Sequence, residues 1–205
     1  MPRSQGFYEK YLKRPQDFCL ALSALLLLSI PLMAVAYRIR RQLGSPVIFT
    51  QTRTGISGSL FTIYKFRTMT DTRDAQGNLL DDALRLNTFG KWLRATSIDE
   101  LPELWNVIRG HMSLIGPRPL LPSYLPLYSP EKLRRHQVRP GLSGLAQVSG
   151  RNTLSWEDKF KLDIEYLENI SFLTDWKIIF RTLKKVLIRE GISSATSETM
   201  EEFRG

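Results

Sequence analysis

Cysteine and histidine are scarce in this sequence of 205 residues, which has one cysteine, Cys19, and two histidines, His111 and His136. A single cysteine cannot form an intramolecular disulfide, so nothing in the chain requires an oxidising compartment. So few thiol and imidazole ligands also argue against a zinc site. Internal repeats and low-complexity tracts are missing too, and 42% of the residues are hydrophobic. This balance is typical of one globular domain and excludes a disordered chain.

Basic charge is abundant but unevenly placed. The formal net charge is +9, and residues 1–41 account for +5 of it, with seven Lys/Arg against two Asp/Glu. Cations clustered around an apolar segment are typical of contact with anionic lipid headgroups. Aromatic residues are not interleaved with the basic ones as stacking platforms for bases require, so we expect no nucleic-acid partner.

The basic N-terminal region encloses an uncharged apolar run of 20 residues, 18–37. About 20 helical residues can span the hydrocarbon core of a bilayer. A cleaved signal peptide could end at the Ala-Val-Ala of residues 34–36, but three arginines follow at once. The basic residues on both flanks argue against a transmembrane helix, because a spanning helix carries positive charge mainly on one side.

Pro31 points to a third interpretation, a re-entrant helix that enters and leaves on the cytoplasmic face. Proline removes a backbone donor and clashes with the preceding turn, so it can bend a helix and bring both basic flanks to one headgroup layer. The Ser29 hydroxyl is close enough in sequence to bond a freed carbonyl. Proline is also tolerated in spanning helices, so these features alone leave the second and third interpretations open.

Strand and helix signals follow the apolar run. Segments 46–52 and 60–67 are rich in β-branched and aromatic residues, enclose two glycines and predict a β-hairpin. A short helix is expected at 88–96. Five prolines in residues 113–130 predict an extended, stiffened segment without regular structure. Three glycines in residues 139–151 predict a shaped loop.

Two further helices are predicted near the C-terminus. The first begins at Ser155 and runs to about Ser171. Residues 174–190 are amphipathic, with Trp176 and Phe180 on the apolar stripe. This helix either packs against the core or lies in the membrane interface with its Lys and Arg at headgroup level.

Asp99 and Glu100 are the candidate catalytic residues. Residues 97–100 have the S-x-x-E spacing of a capping box, which predicts a helix that begins near Ser97 with both acids in its first turn. Backbone N–H groups and the helix dipole would keep a carboxylate there ionised, and an ionised, partly desolvated Asp can attack phosphorus. Capping alone also explains acids at these positions, so spacing by itself does not establish catalysis.

Cations in the same part of the chain indicate a phosphate-bearing substrate. Lys65 and Arg67 are two residues apart on the second predicted strand and so share one face. A diphosphate needs several cations, and arginine binds phosphate with two hydrogen bonds at once. Arg118 lies between two prolines, whose stiff backbone aims its side chain. The remaining basic candidates are Arg94, Arg139 and Arg151.

Three segments resemble the bacterial sugar transferase family, the monotopic phosphoglycosyl transferases. They are KFRTM at 65–69, SIDELPELWNVIRGHMSLIGPRP at 97–119 and RPGLSGLAQVSGR at 139–151. They occur in the family's order, after an apolar segment with a proline, and the likeness covers roughly residues 7–190. The resemblance implies two substrates, a UDP-sugar and a polyprenyl phosphate such as undecaprenyl phosphate.

The family's catalytic acids fall on Asp99 and Glu100. The resemblance implies that Asp99 attacks the β-phosphate, that UMP leaves, and that the polyprenyl phosphate then takes the sugar phosphate from Asp99 in a ping-pong reaction. Glu100 would assist the metal or handle protons, with Mg²⁺ bridging both acids and the diphosphate. Substrate contacts are expected from Lys65, Arg67, Arg94, Arg118, Arg139, Gln147 and Arg151.

The family's first helix is re-entrant and broken at a proline, so the resemblance selects the hairpin, with Ser29 and Pro31 at its break. Small members have Ser directly before the proline, whereas this chain has Ile30 there. We therefore expect either that Ser29 supplies the hydroxyl at the break or that no hydroxyl is present there.

The predicted fold class is α+β in three parts. A re-entrant membrane hairpin occupies 1–41, and a mobile tail rich in Ser, Thr and Glu occupies 191–205. Residues 42–190 form a compact, helix-rich cytoplasmic domain with a small β-hairpin and interfacial amphipathic helices. The expected location is one leaflet of the bacterial inner membrane, on its cytoplasmic face. The oligomeric state stays open, with a dimer as one option.

Two rival functions are compatible with these patterns. A membrane-tethered basic module that binds anionic lipid would share the charge distribution and lack catalysis. A glycosyltransferase that moves the sugar alone would release UDP in place of UMP.

Overall fold

The computed structural model describes residues 4–150, 153–188 and 203. The α-helices of these residues are Lys13–Gln42 (α1), Asp82–Arg85 (α2), Thr88–Ala95 (α3), Glu103–Ile108 (α4), Pro130–Leu133 (α5), Leu145–Ser149 (α6), Trp156–Glu168 (α7) and Phe172–Ile188 (α8). The strands are Ile48–Thr54 (β1), Leu60–Phe66 (β2), Ser113–Ile115 (β3) and Gly141–Ser143 (β4). This helix-rich arrangement with small sheets confirms the mixed fold class.

Helix α1 continues through Pro31 without interruption. A π-helical turn at Tyr8–Leu12 precedes it, and the resulting 35-residue helix is long and apolar enough to cross a membrane. The Ser29 hydroxyl donates a 2.8 Å hydrogen bond to the carbonyl of Leu26. Pro31 leaves the carbonyl of Leu27 without its helical donor, but the Ser29 hydroxyl bonds the carbonyl of Leu26 and not the freed one. The re-entrant hairpin stays a prediction.

Both halves of α1 pack against the rest of the protein. Ala21, in the first half, is fully buried in a cluster with Phe61 of β2. Ile39, near the end, is fully buried beside Phe66 and Leu93. The opposite face of the helix exposes large apolar side chains, namely Leu22, Leu26, Leu27, Ile30, Met33 and Tyr37.

The predicted β-hairpin is confirmed. Strands β1 and β2 pair antiparallel, and Phe49 lies opposite Lys65. The connecting turn uses Gly58 at φ +75°, a left-handed conformation that favours glycine. Strand β2 also contacts α4, because Asn106 of α4 bonds the Thr62 carbonyl and the Tyr64 N–H.

Residues 113–130 and 139–151 are more regular than predicted. They contribute β3 and β4, which form a parallel pair, and also a 3₁₀ helix at Pro122–Leu127 and helix α6. A Cβ atom at Gly141 would lie 2.1 Å from the nitrogen of Gly116, so only glycine permits this approach. The prediction of irregular structure was wrong because these segments obtain their hydrogen bonds from each other, at long sequence distance.

Helix α7 confirms the predicted helix, and its N-cap Ser155 accepts a hydrogen bond from the Asp158 backbone N–H. Helix α8 buries Ile178, which is 1% exposed, while Phe180 is 61% exposed. The face of α8 that packs on the core therefore includes Asp175 and Ile178, and Phe180 of the predicted apolar stripe lies outside it. Its uncovered apolar side chains are Phe172, Leu173, Phe180, Leu183 and Ile188.

The predicted mobile tail lies outside the described residues, apart from Phe203. This ring is buried in a cluster of aromatic side chains from the Pro-rich segment and α7. The rings within 6 Å of its centre belong to Tyr124, Tyr128, Trp156 and Phe160.

Candidate functional site

The two candidate acids lie in a 3₁₀ turn, Ile98–Glu100, that precedes α4. Ser97 before this turn has a left-handed φ of 54° and its hydroxyl makes no capping hydrogen bond. The Glu100 carboxylate turns away from the backbone toward two cations. The predicted capping box is therefore wrong, because a carboxylate forms stronger hydrogen bonds with charged donors than with a neutral N–H.

Glu100 is clamped between Lys65 and Arg118. Its Oε1 atom accepts hydrogen bonds from Lys65 Nζ at 2.9 Å and from Arg118 Nη2 at 2.6 Å. Burial opposes ionisation of this carboxyl, but the two cations outweigh burial and hold the pKa of Glu100 well below its usual range. Lys65 and Arg118, predicted from distant parts of the sequence, thus converge on one oxygen.

Asp99 has a different environment although it is the next residue. It is 9% exposed, and none of the described residues donates a hydrogen bond to its carboxylate. Burial, followed by the negative charge of Glu100, raises the pKa of Asp99 to about 6. The expectation that backbone donors would favour its charged form was wrong in direction. At neutral pH the carboxylate is still mainly ionised, and it has no competing partner.

Glu103 is a third acid that the sequence reasoning did not single out. It begins α4, is 2% exposed, and lies 3.0 Å from Lys65 Nζ. Burial raises the pKa of Glu103 to about 7. The sequence could have indicated Glu103 by its position four residues after Asp99, because residues four apart in a helix lie on the same face.

Arg94 reaches the site from α3. Its Nε donates a 3.1 Å hydrogen bond to the Thr68 hydroxyl, and its charge acts on Asp99. Helix α3 can approach the end of β2 this closely because Gly90 has no side chain. A Cβ atom there would lie 1.9 Å from the Thr68 carbonyl oxygen.

Arg67 and Arg139 do not join the cluster around the acids. Arg67 follows the end of β2 and pairs with Asp71 at 2.9 Å. Arg139 Nε donates to the carbonyl of Gly110, beyond the C-terminal end of α4. Their predicted contact with substrate stays a prediction.

Gln147 lies on α6, and neither polar atom of its buried amide has a hydrogen-bond partner among the described residues. Arg151 lies outside those residues. Arg53 was missed by sequence reasoning: Arg118 and Glu103 are among the charges that act on it, and burial lowers its pKa. No motif marks Arg53, because the pairing of β1 with β2 is what brings it close to the charged residues of the site.

The family model described as "Bacterial sugar transferase" matches residues 8–189. The chain belongs to the bacterial sugar transferase family. The prediction of the family is confirmed, and with it the enzyme class, phosphoglycosyl transferase.

Individual members of the bacterial sugar transferase family are similar over most of the chain. "Uncharacterized sugar transferase EpsL" of Bacillus subtilis is 50% identical over 95% of this chain and 96% of its own length. "UDP-glucose:undecaprenyl-phosphate glucose-1-phosphate transferase" of Caulobacter vibrioides is 41% identical, over 85% of this chain and 69% of its own length. "Undecaprenyl-phosphate galactose phosphotransferase" of Salmonella typhimurium is 34% identical over 89% of this chain but only 42% of its own length.

Proposed function

We propose that this chain transfers a sugar 1-phosphate from a UDP-sugar to a polyprenyl phosphate, such as undecaprenyl phosphate, with release of UMP. The observation that carries the proposal is the pair of adjacent acids with different partners. Glu100 is engaged by Lys65 and Arg118, whereas Asp99 is buried, with no described donor on its carboxylate. The names of the Caulobacter and Salmonella relatives point to the same reaction type.

Asp99 is the nucleophile of this proposal. One of its carboxylate oxygens attacks the β-phosphorus, and the bond from that phosphorus to the oxygen of UMP breaks. The sugar phosphate stays on Asp99 as an acyl phosphate. An oxygen of the polyprenyl phosphate then attacks the same phosphorus, which yields the polyprenyl diphosphate sugar and restores the Asp99 carboxylate.

The cations around the acids bind and orient the diphosphate. Lys65 and Arg118 hold Glu100 in the unliganded site, and both can turn toward phosphate oxygens when substrate enters. Arg94 and Arg53 add positive charge from two other elements. Such fixed charges stabilise the negative charge that moves to the leaving UMP.

Two adjacent carboxylates also fit a magnesium ion. Mg²⁺ is usually held by one or two carboxylates, with water and substrate phosphate as further ligands. Asp99 and Glu100 supply two such carboxylates, and the described residues contain no group of three or more metal-ligating side chains at this site or at any other. A bound Mg²⁺ would neutralise phosphate charge.

The membrane topology is proposed to be monotopic, on the cytoplasmic face of the inner membrane, where UDP-sugars are available. Both halves of α1 pack against the same domain, through Ala21 and Ile39, which disfavours placing its ends on opposite sides of a bilayer. The uncovered apolar faces of α1 and α8 would insert into one leaflet. Lys177, Arg181 and Lys184 are exposed on α8 and would lie at the level of the headgroups. A lipid phosphate in that leaflet would lie at the height of the headgroups.

Release of UMP from a panel of UDP-sugars tests the proposal. The full-length protein is assayed with Mg²⁺ and undecaprenyl phosphate, and nucleotide products are separated by chromatography. UMP release and a radiolabelled lipid product are expected with at least one sugar. Release of UDP would favour transfer of the sugar alone, and no nucleotide release with any sugar would favour a lipid-binding module.

A further inference from the structure

Lys65 is shared between two carboxylates that differ in access to solvent. Its Nζ lies 2.9 Å from Glu100 Oε1 and 3.0 Å from Glu103 Oε1. The Glu100 side chain is 21% exposed, whereas that of Glu103 is 2% exposed. Glu100 can therefore exchange partners when a ligand enters, while Glu103 is closed off from the ligand and stays with Lys65.

Asn106 holds Glu103 and Lys65 at a constant spacing. It lies one helical turn after Glu103 and is fully buried. Its Nδ2 donates a 2.7 Å hydrogen bond to the Thr62 carbonyl, and its Oδ1 accepts one from the Tyr64 N–H at 3.2 Å. These bonds attach α4 to the edge of β2 directly before Lys65. The ammonium–carboxylate contact is thus built into the packing of two elements and does not require substrate.

We propose that Glu103 is a positioning residue that keeps the Lys65 ammonium at the phosphate site while Glu100 turns to substrate. The inference rests on the proposed function, because it takes the ligand of Lys65 to be the diphosphate of a UDP-sugar. An ammonium has three N–H donors. Glu100 accepts one of them, and that donor is free to move to a phosphate oxygen. Glu103 holds Nζ by charge alone, at 3.0 Å and without accepting a hydrogen bond.

Glu103→Gln tests this role at about pH 8, above the raised pKa of Glu103, because the amide has the same shape and lacks the charge of the carboxylate. Once the diphosphate displaces Glu100, Lys65 would then have no carboxylate left to hold it at the phosphate site. We expect the Kd for UDP, measured by titration calorimetry on the full chain, to rise about tenfold, the equivalent of one charge-assisted hydrogen bond. The KM for the UDP-sugar should rise by a similar factor, with kcat within about threefold of its original value.

Lys65→Met provides the background in which the effect should vanish. Glu103 acts through Lys65, so adding Glu103→Gln to Lys65→Met should leave the Kd for UDP unchanged. Glu157→Gln is the matched control: it removes an ion pair with Lys132 in which the Glu157 side chain is 63% exposed, and should not change UDP binding. Circular dichroism spectra establish that each variant is folded.

Three results would overturn the proposal. The first is an unchanged Kd for UDP in Glu103→Gln, and the second is the same tenfold loss in the Lys65→Met background. The third is a fall in kcat at constant KM, which would indicate a distorted site and not a displaced cation. Absence of UMP release by the unaltered protein would reject the proposed function, whereas the UDP-binding measurements would still decide the role of Glu103.

Discussion

Arg135 donates a 2.7 Å hydrogen bond from Nη2 to the backbone carbonyl of Arg118. Arg135 is itself paired with Asp163 of α7 at 2.8 Å, and both side chains are at most 6% exposed. A buried ion pair therefore supports the backbone of the arginine that binds Glu100. This connects the position of α7 to the geometry of the candidate site.

Asp163→Asn should destabilise the protein, because it leaves the Arg135 charge buried without its counter-charge. Loss of one partner of a buried pair costs about 3–5 kcal/mol. The control is Glu168→Gln, which removes the pair with Arg134, whose side chains are 38% and 52% exposed, and should cost less than about 1 kcal/mol. Denaturant unfolding in detergent measures both. Equal stability of the two variants would contradict the structural role of Arg135.

Asp99→Asn should lower UMP release by about 10⁴-fold or more, because the amide cannot form the acyl phosphate. The substitution removes no described hydrogen bond, so the thermal midpoint should change little. Asp71→Asn, at an exposed carboxylate paired with Arg67, serves as the control for loss of one negative charge. Mass spectrometry of protein trapped with UDP-sugar should detect a phosphosugar on residue 99. Retained turnover in Asp99→Asn would exclude Asp99 as the nucleophile.

The activity should fall at acidic pH with the protonation of Asp99. Its pKa is raised to about 6, so the attacking carboxylate is lost as pH falls through 6 and not through 4. We expect kcat/KM to be constant above neutral pH and to fall about tenfold per unit below 6. Re-assay at neutral pH after acid incubation controls for unfolding. A profile that stays flat down to about pH 5 would show that Asp99 is not the ionisation that limits the reaction.

Both ends of α1 should be accessible from the same side of the membrane. Gln5→Cys and Gln42→Cys flank the helix, and Cys19 is replaced by Ser because its thiol is exposed. In a monotopic protein both cysteines react with an impermeant maleimide in inside-out vesicles, and neither reacts in intact spheroplasts. Opposite labelling of the two positions would establish a spanning helix.

Local sequence was sufficient for the elements that short-range signals specify. The β-branched segments around two glycines predicted β1 and β2, and Ser155 predicted the start of α7. The apolar run predicted α1, and the motif from 97 to 119 placed the two acids in the family. In each case the hydrogen bonds of the element join residues that are close in sequence, or the motif is long enough to be recognised from the sequence alone.

Local signals failed where distant chain segments compete for the same groups. Ser97 and Glu100 have the spacing of a capping box, but Lys65 and Arg118 offer the carboxylate charged donors that the sequence cannot place. The Pro-rich and Gly-rich segments became β3 and β4 because each provides the other's hydrogen bonds.

The sequence by itself determined that this chain carries a long apolar helix near its N-terminus and an Asp-Glu pair of the bacterial sugar transferase family. Only the tertiary structure decided how those two acids differ. Burial and like charge raise the pKa of Asp99, while Lys65 and Arg118 lower that of Glu100. It also brought Glu103 to Lys65 across two elements. Such differences depend on distance and solvent access, which residue order does not encode locally.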